Sequence, residues 1–239
     1  GETAHIIGNC ILSLNPVHLK MRHPAAIQDD VFLLQKFCLA TTEEDEEALP
    51  RNHILRFARD IHNSVALDGV SQTVIFRGCS GSGKTESMKS ILQYIICAES
   101  SQRDVLLKPT SLFPLGSVQN PFGMASDTSK AGKAIVTALS LYDAMGNMIT
   151  ARNRAASRHM KHMKLVFDNS AGKLRGVQMT SMLTDLLRFD ANMSDDPNSN
   201  PVYFMSMLAV GLVGDRLAEY KIDGVHRETF LGNTRSNRT

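Results

Sequence analysis

Long hydrophobic runs are missing from this 239-residue chain. Nowhere do about 18 apolar residues follow one another, so no membrane span is expected. A surplus of charge of either sign is missing too. Lysine and arginine number 26 against 24 acids, a net charge of +2, which gives no reason to expect nucleic acid or a membrane surface as the main partner. Cysteine is scarce. Cys10, Cys38, Cys79 and Cys97 show no close metal-ligand spacing and read as reduced thiols. The chain opens on Gly1 instead of Met and nothing there resembles a signal peptide, so the expectation is a fragment, a processed product or part of something longer. What is left, 43% hydrophobic and 21% charged residues, is the ordinary composition of a soluble globular protein, long enough for one large domain or two small ones.

Against that plain background stands Gly78-Cys79-Ser80-Gly81-Ser82-Gly83-Lys84-Thr85, a complete G-x-x-x-x-G-K-[ST] loop. Its glycines let backbone N–H groups wrap close to a polyphosphate. Lys84 then reaches the β- and γ-phosphates, and the Thr85 hydroxyl suits Mg²⁺. The flanks agree. Gln72-Thr73-Val74-Ile75-Phe76 is short, β-branched and apolar, the pattern of a buried parallel strand. Met88, Ile91, Leu92, Ile95 and Ile96 fall on one face of a helix whose N-terminus adds its dipole to the anion site. The residues alone therefore predict an α/β protein that binds a nucleoside triphosphate. Cys79 has two readings, a small residue that fits the loop or an oxidisable thiol activated by loop amides.

Elsewhere the pattern is plainer. Cys10 to Leu14 reads as a strand ended by Asn15-Pro16, residues 31–39 as an apolar run of open type, and Thr41 to Glu47, with five acids, as a solvated loop or linker. Ile54, Leu55, Phe57, Ala58, Ile61 and Val65 are helix-spaced, with His53, Arg56, Arg59 and Asp60 on the other face. Residues 100–130 read as a long irregular insertion. A helix follows from Ala131 to Met145, stopped at Gly146-Asn147. Residues 163–179 alternate around Asp168-Asn169-Ser170-Ala171-Gly172 and predict a β-hairpin, and Tyr203 to Leu217 a Met- and Leu-rich core helix.

The loop and its helix resemble the P-loop of the myosin motor domain, G-E-S-G-A-G-K-T-E followed by a helix with a Q-Y pair. Thr85-Glu86 and Gln93-Tyr94 match. Asn15-Pro16 resembles the segment bordering the adenine pocket, although an Asn-Pro ending a strand is equally a simple turn. Leu49 to Ala58 is similar to the family's P-P-H-I-F-x-x-A helix, and Leu139 to Asn147 to N-P-x-L-E-A-F-G-N. Arg152 to Lys161 aligns with switch I, R-N-x-N-S-S-R-F-G-K. The hairpin and Pro201-Val202-Tyr203-Phe204 follow in family order. Order and spacing agree from about residue 6 to 220.

The resemblance implies that residues 1–239 form the N-terminal part of a myosin-like motor domain. The parts are the P-loop at 78–85, the insertion at about 100–130, switch I at 152–161 and the hairpin at 163–179. The implied fold is α/β, a P-loop NTPase-type sheet with flanking helices, incomplete relative to a full myosin head. The implied cofactors are ATP and Mg²⁺. Gly78 to Glu86 would cradle the nucleotide with Asn15 near the adenine, and Lys84, Asn153, Ser157 and Arg158 would serve catalysis. Thr85 and Ser157 would hold the metal. The implied partners are an actin filament, through segments outside this chain, the rest of the motor head and light chains, in the cytoplasm and on the cytoskeleton. Departures cut the other way. Ala155, Ala156 and Met160 replace the family's Asn, Ser and Gly in switch I, and switch II, D-x-x-G-F-E, is nowhere in the chain. Without the switch II strand, apolar surface and strand edges should stay exposed. Two rivals stand beside a working motor. One is a degenerate motor kept as a nucleotide-binding scaffold. The other is an unrelated P-loop kinase or NTPase, with no N-K-x-D to mark a GTPase. Residues 152–164 also read as a solvated basic loop or a nucleic-acid surface, though the net charge of +2 offers no wider basic face.

Overall fold

The computed structural model describes residues 4–14, 24–98, 130–148, 150, 156–168 and 173–182. Strands and helices are mixed along the chain, so the α/β expectation holds. The chain divides into two units, Gly1–Val136 with Leu165–Val177, and Thr137–Lys164 with Gln178–Thr239.

In the first unit, β1 (Ala4–Ile7) and β2 (Cys10–Ser13) pair antiparallel, Ala4 opposite Ser13 and Ile7 opposite Cys10. Gly8, at φ 56°, turns the chain between them. Helix α1 (Pro24–Leu39) opens on a proline, whose missing N–H costs nothing in the first turn. The run 31–39, left open by the sequence, is therefore helical.

The acidic stretch is not a solvated loop. Glu43–Glu47 forms a short helix, α2, started by a capping box. Asp45 N donates to Thr42 Oγ1 at 3.1 Å, and Asp45 Oδ2 accepts from the backbone N of Thr42 at 3.2 Å and of Thr41 at 3.3 Å. These bonds hold the Asp45 carboxyl below its usual value, with the Thr42 bonds the main cause. Acids in the first turn also favour the helix dipole.

Helix α3 (Ile54–Ala66) begins where His53 Nδ1 accepts from Leu55 N at 3.1 Å. Two arginines of its polar face are tied down, while Asp60 stays exposed. Arg59 Nη2 donates to Glu46 Oε1 at 2.6 Å and to Ala40 O at 2.9 Å, and Arg56 Nη1 to Glu46 O at 3.2 Å, which fastens α2 along α3. Helix α4 (Lys84–Ala98) is half exposed at its start and buried on every side from Ile91 to Ala98. One apolar stripe, as its periodicity suggests, would leave Gln93 and Tyr94 outside, yet both are buried. Phe37, Leu55, Ala58, Ile91 and Ile95 belong to one core cluster. The imidazole of His62 meets Tyr94 and Phe167 edge-on at 6.1 and 6.0 Å.

Residues 72–76 depart from expectation. They form no strand. Val74 and Phe76 lie against the core, whereas Ile75 is 78% exposed. Apolar, β-branched composition suits an extended backbone, but a strand exists only where a neighbour completes its ladder. Among the described residues the sheets are three pairs, β1 with β2, β3 with β4 and β5 with β6, and no wider parallel sheet is formed.

Helix α5 (Lys130–Gly146) spans the boundary between the units and ends at the glycine marked in the sequence. In the second unit, β3 (Asn147–Met148) pairs antiparallel with β4 (Ala156–Ser157). Strands β5 (Met160–Phe167) and β6 (Leu174–Met182) pair across the stretch where the sequence places a hairpin. Asp168 N donates to Lys173 O at 2.7 Å at its closed end. Along β5 exposure alternates, with Lys161, Met163, Leu165 and Phe167 on the less exposed side. The core helix expected at 203–217 and the insertion ahead of Lys130 lie outside the described residues.

Candidate functional site

The glycine loop sits between the extended segment and α4. Gly78, Gly81 and Gly83 have φ of 151°, 79° and 93°. At Gly83 open space surrounds the Cα, so backbone conformation alone excludes a side chain. At Gly78 close approach adds to it, because a Cβ would stand 2.6 Å from Ser82 Oγ. Ser82 N donates to Cys79 O at 3.3 Å and tightens the turn. The Ser82 hydroxyl oxygen is buried and has no hydrogen-bond partner.

Lys84, the first residue of α4, returns across the loop. Its Nζ donates to Gly78 O at 2.7 Å and Cys79 O at 2.6 Å. The ammonium therefore stands over the loop. Ser87 N donates to Gly83 O at 2.9 Å, so the helical ladder starts from the last loop glycine. Thr85 follows in the first turn of the helix. Glu86 Oε1 lies 3.3 Å from Lys89 Nζ on the helix surface. A loop turned by three positive-φ glycines, a spanning lysine, an orphaned hydroxyl and a helix start make a donor set suited to an anion.

Ser157 and Arg158 lie in the second unit. Ser157 is exposed at the end of β4, opposite Asn147, and Ala156 beside it is 1% exposed and opposite Met148. Arg158 N donates to Gly146 O at 3.0 Å. Lys161 Nζ forms an ion pair with Asp143, and both side chains are largely buried. Tyr142 Oη donates to Met179 O at 3.4 Å. Asn15 and Asn153 lie outside the described residues. Among the described residues no group of three or more His, Cys, Asp or Glu side chains could hold a metal ion. No described helix is long and apolar enough to cross a membrane.

The family profile for the myosin head (motor domain) matches residues 7–234. The chain belongs to that family. Myosin ID heavy chain of Dictyostelium discoideum is 32% identical over 136 residues, 57% of this chain and 10% of that protein. Myosin-1 of Saccharomyces cerevisiae is 28% identical over 163 residues, 67% of this chain and 8% of the relative. Myosin-A of Plasmodium falciparum is 25% identical over 187 residues, 78% and 19%. The chain thus spans 8–19% of the length of these relatives, and at these identities it is a divergent member of the myosin-head family.

Within this myosin head, sequence reasoning finds the loop residues and passes over the pair Asp143–Lys161. A signal was present. Lys161 falls in phase with Met163, Leu165 and Phe167, the less exposed side of an alternating strand, where a cation calls for a partner. What the sequence could not give was the partner, 18 residues away at the end of a helix.

Proposed function

We propose that this chain is the nucleotide-binding part of a myosin-type motor, taking MgATP for a protein that couples hydrolysis to movement on actin. The observation carrying the reading is the Gly78–Thr85 loop, with its positive-φ glycines and the Lys84 ammonium drawn back over it. Loop amides and the start of α4 would hold the phosphates, and Lys84 would exchange its two carbonyl partners for phosphate oxygens. Residues 72–76 would be the strand feeding the loop in a P-loop-type sheet. Bound Mg²⁺ would supply charge neutralisation between phosphates, with the Thr85 and Ser157 hydroxyls as protein ligands and water filling the rest. Asn153 would bond phosphate or a nearby water, Asn15 would border the adenine, and Arg158 would close the site against an acid outside this chain. Glu86 would complete the first helical turn beside the site. Actin, the remaining head and light chains would be the partners, in the cytoskeleton.

A second reading has its own support. Ala156 is buried against its strand neighbour and carries only a methyl where the family places a hydroxyl near the attacking water. With Ala155 and Met160 it favours a scaffold that holds nucleotide without turning it over. Two measurements on the full protein test both. Titration with MgATP should give saturable binding that Lys84→Ala weakens at least about tenfold, the loss of one charge-assisted phosphate contact. Unchanged affinity in that variant would refute the nucleotide reading. Single-turnover hydrolysis then separates motor from scaffold: phosphate released on the scale of seconds supports the first, and tight binding without release the second.

A further inference from the structure

Five observations converge on the last turn of α5. Tyr142 Oη reaches the β6 backbone at Met179. Asp143 pairs with Lys161 on β5, the lysine side chain 8% and the aspartate 15% exposed. The imidazole of His159 fills the space over Gly146, where a Cβ would come within 2.0 Å of Nδ1. Gly146 O accepts from Arg158 N at 3.0 Å. Asn147 and Met148 pair with Ser157 and Ala156. The segment 156–161 is thus held to residues 142–148 before, at and after the exposed Ser157.

The charge at Asp143 is the least expected of these. An acid in the last turn of a helix faces the negative end of the dipole, and burial adds a desolvation penalty. The helix gains nothing from it. The carboxylate is explained by what it holds. Lys161 lies four residues beyond Ser157, and its ammonium anchors the exit of the segment as the β3–β4 pairing anchors the entrance.

We propose that Asp143 is a positioning residue for Ser157. Its buried pair with Lys161 fixes the Ser157–Arg158 segment on the end of α5. The Mg²⁺-dependent part of nucleotide affinity then depends on a carboxylate that is not itself a metal ligand. The inference rests on the nucleotide reading above. It assigns Ser157 to the metal and the glycine loop to the phosphates, so the two contributions can be separated.

The test uses the full protein and ATP, titrated once with excess Mg²⁺ and once in a chelator. Asp143→Asn and Lys161→Met should each reduce the Mg²⁺-dependent gain in affinity about fivefold or more, while metal-free affinity, a property of the loop, stays within about twofold. The double variant should be no worse than either single one. Exchanging the charges, Asp143→Lys with Lys161→Asp, should restore the gain, because a lysine suits the helix end; this variant keeps the test decisive if a single variant fails to fold. A Mg²⁺ gain left intact in Asp143→Asn, or one that the exchanged pair fails to restore, overturns the proposal. A purely structural role would lower both affinities together through loss of folded protein, which also overturns it. Absence of ATP binding by the unaltered protein would refute the nucleotide reading itself and this proposal with it.

Discussion

Ser82→Ala should make the free protein more stable and its grip on ATP weaker. Ser82 Oγ is buried with no hydrogen-bond partner, inside a loop whose turn is held by the backbone bond from Ser82 N to Cys79 O. Alanine keeps that bond and the Cβ while removing the stranded oxygen. An unsatisfied buried hydroxyl costs about 1–3 kcal/mol, so the free protein should gain on the order of 1 kcal/mol. That is a rise in melting temperature of about 2–4 °C for a unit of this size. On the nucleotide reading the same hydroxyl would face an anionic ligand when ATP is bound, and a hydrogen bond to a charged group is worth about 1.5–3 kcal/mol. Because its desolvation has already been met in the free state, most of that value should be expressed in binding. Loss of the hydroxyl should then raise Kd about tenfold or more. The assay pairs thermal melts without nucleotide with calorimetric titration by MgATP. A melting temperature that falls, together with a Kd within twofold, would refute the reasoning and make Ser82 a packing residue. Gly78→Ala is the contrasting variant: its Cβ meets Ser82 Oγ at 2.6 Å, so both stability and binding should fall.

Burial raises the Asp60 carboxyl above its usual value, partly offset by the Arg56 and Arg59 guanidinium groups. Between the unfolded and the raised folded value the native chain binds more protons, so stability falls as pH rises through that window. Asp60→Asn should therefore raise the melting temperature at pH 7, with the advantage gone below about pH 4, as melts across pH will report. Cys10 and Cys79 are exposed, Cys38 is buried, and burial pushes the Cys97 thiol up to about 12. A thiol reagent at pH 8 should label Cys10 and Cys79 quickly and all four only on unfolding, and MgATP should protect Cys79 but not Cys10. Ile96 is 2% exposed in the buried half of α4. Ile96→Ala should cost about 2–5 kcal/mol, seen as a lower urea midpoint at unchanged slope.

The phosphate loop was legible because its chemistry is local. Eight consecutive residues fix glycine placement, lysine reach and helix start without any distant partner. Helices α3 and α5 were legible for a related reason, since their periodicity records which face meets a core. The acidic stretch failed because charge was weighed and capping was not: Thr42 and Asp45 stand three apart, a helix-start signal that outranks the run of carboxylates around it. Strand β1 was passed over although Gly8-Asn9 lies between it and β2 as a two-residue turn signal. Residues 72–76 mark a firmer limit. Composition states that a segment can be extended, but only a neighbouring backbone makes it a strand. The sequence places Arg59 on the face opposite the apolar stripe but not its partners, Glu46 and the carbonyl of Ala40, which no spacing rule brings together. Of the expected nucleotide ligands, those from the loop stand in the first unit and those from the basic segment in the second. Any cooperation between them is a matter of tertiary arrangement, which no local motif encodes.

The encasement of α4 from Ile91 onward makes the helix a ruler. Ile91 stands seven positions beyond Lys84, about 10.5 Å of helix and nearly two turns. With the far end clamped on all sides, inserting or deleting one residue in between would swing Lys84 by about 100° around the axis and shift it by about 1.5 Å along it. Side chains at 87–90 can vary with modest effect, but the count of residues cannot. Lineages of this chain should accept substitutions there and reject changes of length.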